Sequence, residues 1–131
     1  MRADIEALAK ITVDCGFHIH KEIGPGLLES AYELLMFESI LARGLHVERQ
    51  IPISISANGI VIDNAFKADL LIERKLLVEI KSTEQHSLVH AKQVITYLCL
   101  MKLPLGLLMN FGTPTFKEGV RRIVNNYTET K

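Results

Sequence analysis

Phe66-Lys67-Ala68-Asp69-Leu70-Leu71-Ile72-Glu73-Arg74-Lys75-Leu76-Leu77-Val78-Glu79-Ile80-Lys81 is the stretch on which the fold turns. Two apolar runs flank the polar break Glu73-Arg74-Lys75, so the segment reads as two antiparallel strands joined by a tight turn. Each strand carries charge where its neighbours are apolar: Asp69 in the first, Glu79 and Lys81 in the second. Burying a lone charge is costly, so an acid without a purpose is a poor choice at such a position. If the hairpin turns on Arg74 with a three-residue loop, Asp69 faces Glu79 directly across the ladder. A two-residue loop breaks that pairing. Opposed like charges destabilise a sheet unless a cation lies between them. Glu79 and Lys81, two apart, point to one face of their strand. The three-residue register therefore suits an oxygen-ligand site for Mg²⁺ or Mn²⁺ beside an ammonium group. The structural alternative pairs Asp69 with Lys81, and Glu79 with a basic neighbour such as Lys67. An acid, nine residues, then Glu-X-Lys on adjacent strands favours the metal.

Outward from this hairpin, the sequence gives a consistent order of elements. Upstream, Val47 to Ala57 alternates Ile51, Ile53 and Ile55 and ends at Asn58-Gly59, a strong hairpin signal, with the return strand running from Ile60 to about Ile72. Further upstream, Ile5, Leu8, Thr12, Cys15 and Ile19 follow a helical period from Ala3 to about Lys21, and Gly24-Pro25-Gly26 stops that helix. A second helix, about Leu27 to Arg43, is apolar on most sides and is expected to be largely buried, with Gly44 at its end. Downstream, Leu88 to Lys102 has helical spacing and ends at Pro104. Leu105 to Phe111 reads as a strand buried on both faces, parallel to Leu76–Ser82 by a right-handed crossover, and Val120 to Val124 adds an edge strand. The expected architecture is an α/β domain, a mixed β-sheet flanked by helices in the order α-α-β-β-β-α-β.

At 131 residues the chain has the length of one domain: an N-terminal helix over 1–23, a core over 24–126 and a polar tail over 127–131. Fifteen acids balance fifteen bases. That speaks against a non-specific nucleic-acid coat but leaves room for a local basic cleft. Cys15 and Cys99 match no metal or redox spacing and read as reduced core residues of a cytoplasmic protein. Asp4, Glu6, Lys10 and Asp14 interrupt any signal-peptide core, and no run approaches the roughly 18 apolar residues that span a bilayer, so no membrane partner is expected.

Asp69 and Glu79-Ile80-Lys81 resemble the motif of the PD-(D/E)XK nuclease superfamily. Two further stretches sharpen the resemblance. Gly26-Leu27-Leu28-Glu29-Ser30-Ala31-Tyr32 looks like the signature of the prokaryotic GxxExxY proteins, which are placed in that superfamily. Gln93-Val94-Ile95-Thr96-Tyr97 is similar to the Gln-x-x-x-Tyr element of RecB-like and lambda-exonuclease-like members. The likeness runs from about His20 to Val124 and implies a restriction-endonuclease-like fold that hydrolyses DNA or RNA phosphodiester bonds with Mg²⁺ or Mn²⁺, DNA being expected ahead of RNA as the partner. It implies that Asp69, Glu79 and the Ile80 carbonyl bind the metal and that Glu29 reaches it from the second helix. Lys81 would orient or deprotonate the attacking water, while Gln93 and Tyr97 position the phosphate or the lysine.

The rival reading is a non-catalytic module of the same fold that binds nucleic acid or protein; a hydrolase of another phosphate ester is a weaker third. A homo-oligomer would supply binding surface that a chain of this size lacks. Other groups carry less. His86 and His90 are four apart, but His86 falls at or before the helix start and no third ligand is near in sequence, so Zn²⁺ is not expected. His90 reads as a support or phosphate contact, and His18 and His20 as surface or helix-packing residues. Asn110 reads as a turn or cap residue, and Arg121-Arg122 as a solvated face rather than a nucleic-acid contact.

Overall fold

The computed structural model describes residues 4–125. In chain order the elements are α1 (Ile5–Ile23), α2 (Glu29–Ala42), β1 (Val47–Ala57), β2 (Ile60–Ile72), β3 (Leu76–Lys81), α3 (Leu88–Met101), β4 (Leu105–Asn110), α4 (Phe116–Gly119) and β5 (Val120–Val124). The strands form one mixed sheet in sequence order. β1, β2 and β3 are antiparallel, β3 and β4 are parallel through the α3 crossover, and β5 returns antiparallel on the far edge. The expected order holds apart from α4. This single turn is fixed by a reciprocal cap between Thr115 and Glu118, whose Thr-x-x-Glu spacing is the sequence signature of such a start.

The sheet is packed on both faces. On one side Leu70, Ile72, Leu76, Val78, Ile80, Leu105, Leu107 and Met109 meet α1, α2 and Phe116. On the other, Leu71, Leu77 and Leu108 meet Val94 and Leu98 of α3. β4 is buried along its whole length, as its uninterrupted apolar run requires. Gly16 lets α1 approach closely: a Cβ there would lie 2.4 Å from the Phe116 ring and 2.6 Å from the Met109 methyl.

Three expectations need correction or bounding. α2 buries only Tyr32, Glu33, Met36 and Ile40, while Leu34, Leu35 and Leu41 remain 37–45% exposed. The helix lies across the sheet on a single stripe, and leucines outside that stripe have nothing to pack on. Cys15 is in the core, but Cys99 is exposed, because it lies off the Val94–Leu98 face of α3. Ala3 and the tail over 127–131 lie outside the described residues. Among the described residues no helix is long and apolar enough to cross a membrane.

Tyr32 ties the turn before α2 to the sheet. Its hydroxyl donates to the Gly24 carbonyl (2.5 Å) and accepts from the Leu27 amide (3.2 Å), and its ring stacks on Phe111 at 4.5 Å. Tyr32→Phe leaves the carbonyl and the amide without that partner and is expected to cost about 1–2 kcal/mol. A thermal melt unchanged by the substitution would show that solvent takes over both bonds.

Candidate metal centre

The turn between β2 and β3 sets the geometry of everything beyond it. Glu73 and Arg74 both adopt positive φ, 52° and 55°, and the Lys75 amide donates to the Ile72 carbonyl at 2.9 Å. The loop is three residues long, with Ile72 opposite Leu76, Leu71 opposite Leu77 and Leu70 opposite Val78. The backbone pairing stops there; continued one step, the three-residue register sets Asp69 opposite Glu79.

At that pair the backbone ladder gives way to side chains. The Asp69 amide donates to Glu79 Oε2 at 2.8 Å, and the Ile80 amide donates to Asp69 Oδ2 at 2.8 Å. Each carboxylate thus takes an amide that a regular ladder would have used, which holds both acids between the strands. Glu79 is 3% exposed and Asp69 half-buried. Burial and the facing Asp69 charge push the Glu79 carboxyl up to about 8, against the opposing pull of the Asp69 amide and Lys81. Burial likewise raises Asp69 to about 6; the Ile80 amide opposes this, the nearby Glu33 adds to it and Lys81 opposes it. Burial and like charge thus make both acids resist ionisation side by side.

Lys81 leaves β3 on the α3 side, where its Nζ donates to Gln93 Oε1 at a long 3.4 Å. The strand below it is pinned by Asn110. Asn110 Oδ1 accepts from the Thr83 and Gly112 amides at 2.9 Å each, and Nδ2 donates to Thr83 Oγ1 at 3.1 Å. The turn residue expected at Asn110 is therefore the clamp on the segment that follows Lys81. Gly112 is required beside it, since a Cβ there would lie 2.3 Å from the Thr83 carbonyl oxygen. Tyr97, one turn along α3 from Gln93, stacks on Phe66 of β2 at 3.9 Å. Burial holds its hydroxyl above the usual tyrosine value, with the Glu79 and Asp69 charges acting in the same direction. His90 lies near enough for Lys81 to act on it; burial first, then that ammonium, keeps its imidazole below the ordinary value.

Asp69, Glu79, Lys81, Gln93 and Tyr97 are thus linked by hydrogen bonds or by mutual charge. Glu29 stands apart from them. It is exposed at the first turn of α2, and its charge acts on His90. The helix acid closest to the pair is Glu33, one turn later and 6% exposed. It accepts from Gln50 Nε2 at 2.7 Å and from Arg49 Nε at 3.2 Å, and its charge raises both Asp69 and Glu79. Sequence reasoning passed over Glu33, although the signal was present: an acid inside the stripe Tyr32, Met36, Ile40. Tyr32 itself is committed to the Gly24 turn.

The donor chemistry fits a hard divalent cation. Two carboxylates, one buried and one half-buried, share one face with an ammonium, and Mg²⁺ is commonly held by one or two protein carboxylates with water and phosphate completing its shell. Among the described residues no three His, Cys, Asp or Glu side chains form a group that could hold a metal ion by themselves. A centre here would therefore rest on two carboxylates, with a backbone oxygen such as that of Ile80 beside them. His86 Nε2 hydrogen-bonds the Glu118 carbonyl at 2.8 Å, and among the described residues no third His, Cys, Asp or Glu joins His86 and His90 in a group that could hold a metal ion. Arg122 is paired with Glu6.

Comparison with known proteins places the chain. The family model of the PD-(D/E)XK nuclease superfamily matches residues 6–123. No curated protein matches the sequence. Among solved structures, the "Crystal structure of SSO0001" superposes with a TM-score of 0.56 at 23% identity, a likeness of fold. The match covers 76% of this chain and 52% of that one, so the chain spans about half the length of its structural neighbour. With nearly its whole length matched and its mixed sheet flanked by helices, the chain belongs to the PD-(D/E)XK nuclease superfamily and has a restriction-endonuclease-like fold.

Proposed function

We propose that the chain is a Mg²⁺- or Mn²⁺-dependent nuclease that hydrolyses phosphodiester bonds, with DNA ahead of RNA as substrate, and that it belongs to the GxxExxY group of the superfamily. The observation that carries this reading is the facing pair Asp69 and Glu79, both with raised carboxyls and both within the influence of Lys81. Asp69, Glu79 and the Ile80 carbonyl would hold the cation. Glu33, rather than the more distant Glu29, is the helix acid placed to support it. A cation there would supply charge to polarise the phosphate and make water more acidic.

The chain's own groups do the rest. The Lys81 ammonium, steered by Gln93, stands where negative charge builds up on a phosphate drawn to the centre. Gln93 and Tyr97 share one face of α3 and offer an amide and a neutral hydroxyl to the same phosphate. Loss of the pinned Lys81 should affect turnover more than binding.

The test is incubation with single- and double-stranded DNA and RNA, in Mg²⁺, Mn²⁺ or EDTA. Asp69→Ala and Lys81→Ala are expected to lower cleavage by at least about a hundredfold. Cleavage that survives in both variants places the chemistry elsewhere. The balanced formal charge, fifteen acids to fifteen bases, favours a second reading, a module that binds without turnover. Retention of a substrate strand with no cleavage in either metal is the outcome that selects it.

A further inference from the structure

Gln50 occupies a position in β1 that the rest of the strand does not explain. Its neighbours pair regularly, Arg49 with Leu70 and Ile51 with Ala68, which leaves Gln50 opposite Asp69. There its φ is 52°, in the left-handed region that non-glycine residues seldom enter and never need within a regular strand. Across from it, β2 loses its alternation: Leu71 and Ala68 both pack toward α3, with Leu70 turned to the other face between them. Both strands are distorted at one level, and it is the level of the acidic pair.

The distortion has a visible product. The Gln50 carboxamide donates to Glu33 Oε1 at 2.7 Å and to Asp69 Oδ1 at 3.3 Å. It spans two like charges on different elements, one on α2 and one on β2. Arg49 holds the second oxygen of Glu33 at 3.2 Å, which fixes where that carboxylate can turn. Backbone strain of this kind persists where the surroundings demand it, and it clusters at functional sites.

We propose that Gln50 is a positioning residue of the metal centre, a carboxamide delivered by a left-handed backbone to bracket Asp69 against Glu33. The proposal rests on the metal-centre reading and adds to it a residue outside the sequence motifs. Without the bracket, Asp69 keeps the Ile80 amide and Glu33 keeps Arg49, but the donor that spans the two carboxylates is lost, and a bound cation must then order them relative to one another.

Glycine and alanine at this position separate the two roles of Gln50. Both remove the carboxamide, but only glycine accepts positive φ without strain. Mn²⁺ titrated calorimetrically into wild type, Gln50→Gly and Gln50→Ala is expected to bind about tenfold or more weakly to both variants, the usual scale for groups that orient metal ligands. In metal-free thermal melts, Gln50→Gly is expected to unfold at a higher temperature than Gln50→Ala. Affinity equal to or above wild type in either variant overturns the positioning role. A lower melt for Gln50→Gly than for Gln50→Ala overturns the strain that motivates it. Wild type that binds no Mn²⁺ defeats the metal-centre reading itself, and the bracket with it.

Discussion

Glu79→Gln is expected to stabilise the metal-free protein while removing metal-dependent cleavage. Glu79 is 3% exposed and faces another acid, and its carboxyl is pushed up to about 8. At neutral pH the fold must therefore either bury a repelled charge or take up a proton. Glutamine keeps the shape, still accepts from the Asp69 amide, and removes the charge. The gain should be on the order of 2 kcal/mol, the scale on which neutral replacements relieve poorly compensated buried charge. Cleavage should fall on the order of a thousandfold, since a carboxamide is a poor ligand for a hard cation and a preorganised charge is lost. Opposite signs for stability and activity are characteristic of a site kept for its chemistry. A lower melting temperature for Glu79→Gln in EDTA would instead make Glu79 a structural acceptor, whose charge is needed for its bond to Asp69.

The pH dependence of stability should run opposite to that of a protein held by carboxylate salt bridges, and Mn²⁺ should reverse it. Both acids have folded values above their ordinary ones, Glu79 about 8 against 4.5 and Asp69 about 6 against 3.8. The folded state thus binds protons more tightly than the unfolded chain, and stability falls as pH rises. The contribution of Glu79 is fully favourable below its unfolded value and is lost between about 4.5 and about 8; that of Asp69 is lost between 3.8 and about 6. The difference in melting temperature between wild type and Glu79→Gln reports the first window together with the response of its coupled neighbour Asp69, because titrations away from the pair cancel. It should widen steadily from pH 5 to pH 8. A cation competes with these protons, so it should bind more tightly at pH 8 than at pH 5.5. At a hundred times its dissociation constant it would add about 2.7 kcal/mol at the higher pH and far less at the lower. Equal stabilisation by Mn²⁺ at both values would place its binding away from these carboxylates.

Much of this was legible in the sequence because strand signals and turn signals agreed. Asn58-Gly59 predicts a turn with positive φ at both residues, and the structure has 53° and 76° there. Asp69 and Glu79 stood out as acids in apolar strands, and the Glu73–Lys75 loop has the three residues on which their proposed pairing depends, with each carboxylate bonded to an amide of the other's strand. Burial on α2 was less legible, since an all-apolar composition says how much surface is available but not how wide a stripe the sheet can cover. Glu33 was overlooked for a related reason. A motif drew attention to Glu29, whereas the packing of Tyr32, Met36 and Ile40 carries Glu33 inward instead. Gln50 gave no sequence signal at all. Glutamine has no preference for positive φ, and its conformation follows from partners 17 and 19 residues away.

The central claim is that Asp69 and Glu79 jointly hold a divalent cation. Anomalous diffraction from crystals soaked in Mn²⁺ tests it most directly. The account predicts one strong peak within about 2.2 Å of a carboxylate oxygen from each residue, absent in crystals of Asp69→Ala. A peak elsewhere, at His86 and His90 for instance, or none at saturating Mn²⁺, would contradict it.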